Sequence, residues 1–163
     1  MRSVRVLVAD DIGTVRAVVR NLLISLDVNR LGIFEASDGA AALKLLADER
    51  PDLIITDWNM PGASGLDVLS AARELDKKVR VLMLTSNNER DQVIDAIRQG
   101  ADDYVLKPFT RTQLLDKLAF WLNKVETSAA SDAVGSETRP APDGGQDQHE
   151  DDEDSELDQS AEE

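Results

Sequence analysis

Along the first 125 residues, short apolar runs alternate with longer stretches in which apolar residues recur every three or four positions. The short runs are Val4–Ala9 (VRVLVA), Ile33–Ala36 (IFEA), Leu53–Thr56 (LIIT), Val79–Leu84 (VRVLML) and Asp103–Leu106 (DYVL). Each has the length of a strand. LIIT is apolar without interruption, as a strand covered on both faces should be. Between the runs, Val15, Val18, Val19, Leu22 and Leu23 share a helical spacing. Leu43 with Leu46, Leu66 with Leu69, and Val93, Ile94 and Ile97 continue the series. Gly100 stands where the fourth helix should stop. The last helix opens on Thr110 and Gln113, spaced as a capping box, and places Leu114, Leu118, Trp121 and Val125 on its apolar stripe.

Strict alternation of strand and helix predicts an α/β protein with a parallel sheet between two helical layers. The expected architecture is a flavodoxin-like (βα)5 three-layer sandwich with strand order 2-1-3-4-5. Sheets of this kind bind ligands beyond the carboxyl ends of their strands, where the winding direction reverses. Four of the five ends carry polar chemistry: Asp10-Asp11, Asp57, Thr85-Ser86 and Lys107-Pro108. Singly, each has a bland explanation as a helix cap or a turn. Capping does not explain all four at once.

Three carboxylates in one pocket repel one another and raise one another's pKa unless cations enter. Lys107 supplies one fixed positive charge. A hard divalent ion with oxygen ligands would supply the rest, and magnesium takes one or two carboxylates plus waters. A buried acid beside a metal and a lysine suits phosphoryl transfer, which depends on positioning and charge neutralisation.

Charge divides the chain. Residues 1–125 hold 18 acidic and 17 basic side chains; residues 126–163 hold 14 acidic ones and a single basic one, Arg139. The expected domains are therefore a nearly neutral globular unit over 1–125 and an acidic tail over 126–163. That tail has almost no large apolar side chains and is expected to be disordered. Neither part offers the basic face that nucleic-acid binding requires. The apolar runs fall short of a membrane span, no secretory signal opens the chain, and cysteine is absent. The expectation is a cytoplasmic protein with no nucleic-acid or membrane partner.

The segments VRNLL (Val19–Leu23 with Arg20), TDWNMPGASGLDVL (Thr56–Leu69), VLMLTS (Val81–Ser86) and GADDYVLKPFT (Gly100–Thr110) resemble the receiver domain of response regulators, specifically the single-domain chemotaxis type. The resemblance covers about residues 3–125. It implies that Asp57 is the phosphoacceptor toward a histidine kinase's phosphohistidine. It implies that Asp11, Asp57 and the backbone carbonyl of Asn59 are direct Mg2+ ligands, with Asp10 reaching the metal through water. Lys107 would pair with the phosphoryl group and precede a cis peptide bond. Thr85 would be the switch hydroxyl, and Tyr104 the aromatic ring that follows it from exposed to buried. The output surface would be the fourth helix, fifth strand and fifth helix.

Some positions depart from the resemblance. Asn87 stands where the enteric chemotaxis protein carries Glu, and Ser86 replaces a family Ala. Lys117 matches a motor-binding lysine, while Phe120 replaces another, on the helix face that also carries Gln113 and Lys124. A large apolar ring among polar neighbours is expected to belong to a partner-binding patch. The leading expectation is a two-component response regulator that promotes its own phosphorylation and dephosphorylation and switches an effector-binding surface, in chemotaxis or flagellar motor control. The alternative is a phosphate sink or relay shuttle. An aspartate-dependent phosphatase would need a second acid at position 59, which is Asn.

Overall fold

A computed structural model describes residues 1–86 and 90–138. The elements alternate as β1 (Val6–Ala9), α1 (Gly13–Ser25), β2 (Ile33–Ala36), α2 (Gly39–Glu49), β3 (Leu53–Asp57), α3 (Gly65–Leu75), β4 (Arg80–Thr85), α4 (Arg90–Arg98), β5 (Asp103–Leu106) and α5 (Arg111–Thr138). The five strands form one parallel sheet in the order β2-β1-β3-β4-β5, the flavodoxin-like arrangement expected.

Side-chain alternation along the strands divides the core in two. Val6 and Val8 of β1, Leu53 and Ile55 of β3, and Leu82 and Leu84 of β4 pack with Val19, Leu22 and Leu23 of α1 and Leu114, Leu118 and Leu122 of α5. The intervening residues Leu7, Ile54, Val81 and Met83 pack with Leu46 of α2, Val68 and Leu69 of α3 and Ala96 of α4. Both faces of the central strands are thus covered, which is why LIIT has no polar interruption. Among the described residues, no helix is long and apolar enough to cross a membrane.

The helix punctuation follows local chemistry. Thr110 and Gln113 form the expected reciprocal cap, Gln113 Oε1 accepting from the Thr110 N–H at 2.9 Å and Thr110 Oγ1 from the Gln113 N–H at 3.1 Å. Ser64 and Asp67 make a second capping box at the start of α3. Gly100 sits at φ +108°, in a region that side chains disfavour.

Several boundaries and faces differ from the sequence reading. β1 begins at Val6 rather than Val4, because the Arg5 N–H donates to the Asp52 carboxylate at 2.9 Å instead of to a neighbouring strand. β4 spans Arg80–Thr85, one residue later than expected. Ile94 and Ile97 are exposed, and Ala96 is the buried residue of α4. This crossover helix serves the edge strand β5 and has less sheet beneath it to cover. Val18 is likewise exposed, while Leu122, absent from the expected stripe, is fully buried.

α5 runs on to Thr138, past the boundary expected at 125. No proline or glycine interrupts residues 111–134, and Ala129, Ala130 and Ala133 favour the helix, so the chain turns do not stop where the core stripe ends. The compact unit spans Met1–Ala129; of the unit that follows, only the helical residues to Thr138 are described. The tail expected to be disordered over 126–163 is instead helical as far as Thr138; its remainder, 139–163, and the departure at Asn87 fall outside the described residues.

Candidate functional site

The same alternation that sorts the core builds the site. Asp10 continues the row of Val6 and Val8, Asp57 that of Leu53 and Ile55, and Lys107 that of Val105. All three emerge on one side of the sheet at its carboxyl edge, where the chain leaves β1, β3 and β5. Glycine fixes the exit from β3. A Cβ at Gly65 would lie 2.2 Å from the Asp57 carbonyl oxygen, and the Gly65 N–H bonds the Trp58 carbonyl at 2.8 Å. Only glycine lets α3 begin this close to the end of β3.

Asp10, Asp11 and Asp57 each offer a carboxylate oxygen within 4.8 Å of the others. Asp10 is fully buried; its Oδ1 accepts from the Ile12 N–H at 2.9 Å and its Oδ2 from Lys107 Nζ at 2.7 Å. Asp57 is 6% exposed, and its Oδ1 accepts from the Trp58 N–H at 2.8 Å. Lys107 Nζ lies 3.5 Å from Asp57 Oδ2, so one ammonium sits between two buried carboxylates. Burial pushes the Asp57 carboxyl above its usual range, the Asp10 charge adds to that push, and Lys107 with the Trp58 N–H only partly offsets them. Asp11 is exposed, and among the described residues nothing donates to its carboxylate.

Three acids against one lysine leave the pocket with excess negative charge. A divalent cation with a preference for hard oxygen ligands fits this donor set: Asp10, Asp11 and Asp57 supply carboxylate oxygens, and Asp10 and Asp57 are held by short backbone contacts, Asp10 by Lys107 as well.

Of the other expected site residues, Thr85 and Asn59 stand at the same carboxyl edge of the sheet and Tyr104 does not. Thr85 ends β4 and is buried, and its carbonyl accepts from the Lys107 N–H at 2.7 Å. It continues the row of Val81 and Met83, the alternate row to that of Asp57. Asn59 is exposed on the loop after Asp57, as is Ser86 after Thr85. The Lys107-Pro108 peptide bond is cis. Tyr104, on edge strand β5, is 37% exposed and lies apart from the acids.

Two features escaped the sequence reading. Arg16 Nη1 donates to the Asp10 carbonyl at 2.7 Å from α1. At the other end of β5, Asp102 and Asp103 are each surrounded by donors. Asp102 accepts from Arg73 Nη2 at 2.7 Å, Arg80 Nη1 at 3.2 Å and the Val81 N–H at 2.8 Å. Asp103 accepts from Lys117 Nζ at 2.8 and 2.9 Å, Trp121 Nε1 at 2.8 Å and the Tyr104 N–H at 2.8 Å. Lys117, read from sequence as an outward contact residue, is therefore tied to β5. The only signal was its spacing from an acid in a different element, which sequence periodicity does not report.

The sequence profile of the response regulator receiver domain matches residues 6–119, a span that holds the acid pocket, Thr85 and Lys107. The chain belongs to the response-regulator receiver family. Receiver domains are phosphoacceptors that bind magnesium at an acidic pocket, and the aspartate cluster described above could hold a metal ion. The chemotaxis protein CheY of Pseudomonas aeruginosa is 42% identical over 116 residues, covering 70% of this chain and 92% of that one. A probable transcriptional regulatory protein NarL of Mycobacterium tuberculosis is also 42% identical, over 114 residues, covering 69% of this chain and 52% of that one. The high-resolution structure of chemotaxis response regulator CheY4 of Vibrio cholerae superimposes with a TM-score of 0.66 at 29% identity, over 76% of this chain and 99% of its own. CheY is matched over nearly its whole length, the transcriptional regulator over about half of its own.

Proposed function

We propose that this receiver is a phosphorylation-controlled binding module of a two-component pathway, with Asp57 as its phosphoacceptor. The observation that carries the reading is the single lysine ammonium set between two buried carboxylates, beside a third acid. An Asp57 carboxylate oxygen bonds to phosphorus as the phosphorus–nitrogen bond of a histidine kinase's phosphohistidine breaks. The electron pair returns to the imidazole nitrogen, which regains its proton from water. Lys107 pairs with an oxygen of the transferred group, and Thr85 is the hydroxyl that turns toward another. Asp10, Asp11, Asp57 and the Asn59 carbonyl are the ligands assigned to Mg2+, which neutralises the phosphoryl oxygens when bound. Tyr104 follows Thr85 as the switch ring. The chain lowers the barrier to its own modification and is no enzyme in the usual sense.

The effector surface in this reading is α4, β5 and α5, where Ile94, Ile97, Tyr104, Leu106 and Phe120 are all exposed. Phe120 is 51% exposed, with Lys124 Nζ 5.5 Å from its ring centroid. Chemotaxis is the pathway favoured, on a match that covers 92% of CheY, with the cytoplasm as compartment. The receiver module is assigned to residues 1–125 and the acidic extension to 126–163. A second reading, a phosphate sink or relay shuttle, draws support from Lys117, whose ammonium is engaged by Asp103 rather than offered to a partner.

Intact-mass measurement after treatment with acetyl phosphate and Mg2+ tests the assignment. The wild-type chain should gain one phosphoryl group and Asp57→Asn none. A gain in the variant would move the acceptor elsewhere.

A further inference from the structure

We propose that Arg16 is a positioning residue for the acids of the pocket, acting through the peptide bond between Asp10 and Asp11. The inference rests on the reading that these acids hold a divalent cation. Three of the handles on this segment are already accounted for. The Asp10 N–H bonds the Ala36 carbonyl at 3.0 Å, and the Asp10 carboxylate is taken by the Ile12 N–H and Lys107. The remaining handle is the Asp10 carbonyl, and Arg16 Nη1 holds it at 2.7 Å.

That carbonyl shares a rigid plane with the Asp11 nitrogen. Fixing it sets the plane from which the Asp11 side chain departs. Because nothing among the described residues donates to the Asp11 carboxylate, the backbone is what aims it. Arg16 is in turn steadied from β2. Its Nε lies 3.3 Å from Glu35 Oε1, and Arg20 Nη1 holds the other glutamate oxygen at 2.7 Å. The Arg16 side chain is 22% exposed. Groups that orient metal ligands without touching the ion are worth a large share of its affinity.

Charge and position make opposite predictions here. As a cation near the pocket, Arg16 should weaken divalent binding, so removing it for charge alone would tighten Mg2+. As a positioning residue its loss should loosen Mg2+.

Calorimetric titration of the full chain with MgCl2 separates the two, with thermal melts in EDTA as the check on folding. Arg16→Ala and Arg16→Met, the latter keeping the apolar stem, should weaken Mg2+ about tenfold. Arg16→Lys returns a donor and the charge, and should recover affinity to within about threefold of wild type, the lysine lacking the second arm of the fork. Arg20→Ala removes the same charge from Glu35 without touching the acids' backbone, and should stay within about twofold. Binding unchanged or tightened in Arg16→Ala and Arg16→Met would overturn the proposal, as would a loss in Arg20→Ala equal to that in Arg16→Ala. Arg16→Lys remaining as weak as Arg16→Ala would overturn it too. A wild-type chain with no saturable Mg2+ response would instead remove the reading of the pocket itself, and the inference with it.

Discussion

Two groups of aspartates lie at opposite ends of the parallel sheet, and they differ in how far their charge is answered. At the carboxyl edge, Asp10, Asp11 and Asp57 share one lysine. At the amino end of β5, Asp102 and Asp103 meet Arg73, Arg80 and Lys117, with the Trp121 indole N–H besides. The outcomes are opposite. Burial and Asp10 hold the Asp57 carboxyl above its usual range. Burial would raise Asp103 as well, but the hydrogen bonds from Lys117, Trp121 and the Tyr104 N–H outweigh it and hold that carboxyl below its usual range. Residue type is the same in the two places, and Asp10 and Asp57 are more deeply buried than Asp102 and Asp103; the count of donors separates a site open to a cation from a latch that ties α5 to β5.

Removing the pocket's one lysine is the most drastic way to break this contrast. Lys107→Ala should still bind Mg2+ but lose the phosphorylation-dependent change in Trp58 fluorescence altogether, since the ammonium that pairs with the phosphoryl oxygen is then gone. A fluorescence change of wild-type size in this variant would show that Lys107 is not the sensor.

At the latch, Asp103→Ala should cost about 1–2 kcal/mol at neutral pH, discounted because Lys117 is partly exposed. The folded-state pKa of Asp103 lies below its unfolded value. Its contribution is therefore fully present above the ordinary carboxylate pKa and is lost as pH falls through the lowered one. Urea midpoints for the two proteins should converge only in strong acid. A gap that persists unchanged at low pH would mean that packing, not ionisation, carries the effect.

Asp57→Asn should move stability the other way, by roughly +1 kcal/mol without Mg2+. A folded pKa above the unfolded value means that ionised Asp57 opposes folding. The variant's advantage is then full above the raised pKa and vanishes as pH falls toward the ordinary one. MgCl2 should narrow the difference by stabilising the wild type. If thermal melts rank the variant below wild type at neutral pH, the pocket is not charge-frustrated.

The smallest effect belongs to neither cluster. A chain ending at Val125 loses the helical extension and the Arg2–Glu126 pair at 3.4 Å, of which Glu126 is largely exposed. Its stability should fall by less than about 1 kcal/mol, with acetyl phosphate labelling intact. Loss of cooperative unfolding would place the module boundary further along α5.

Part of this was legible in the chain itself. Alternation of apolar runs predicted the parallel sheet, because strand and helix periods are local properties, while its order was expected from the flavodoxin-like architecture. It also put Asp10, Asp57 and Lys107 at strand ends, and parity then fixed the side of the sheet on which they emerge. Punctuation by Thr110, Gln113 and Gly100 was readable for the same reason: a cap is satisfied within one turn of chain. Tertiary structure decided what depends on distance. Ile94 and Ile97 have the spacing of core residues and lie outside, because burial depends on how much sheet a helix covers. Val125 ends the stripe but not the helix, since helix propensity does not stop where the stripe does. Charge balance was the least local property of all. Lys117 reaches back to Asp103, Arg73 crosses to Asp102, and Arg16 finds the Asp10 carbonyl. The charges of a sequence can be counted residue by residue, but which charge answers which is set only when the folded backbone brings their donors within hydrogen-bond reach.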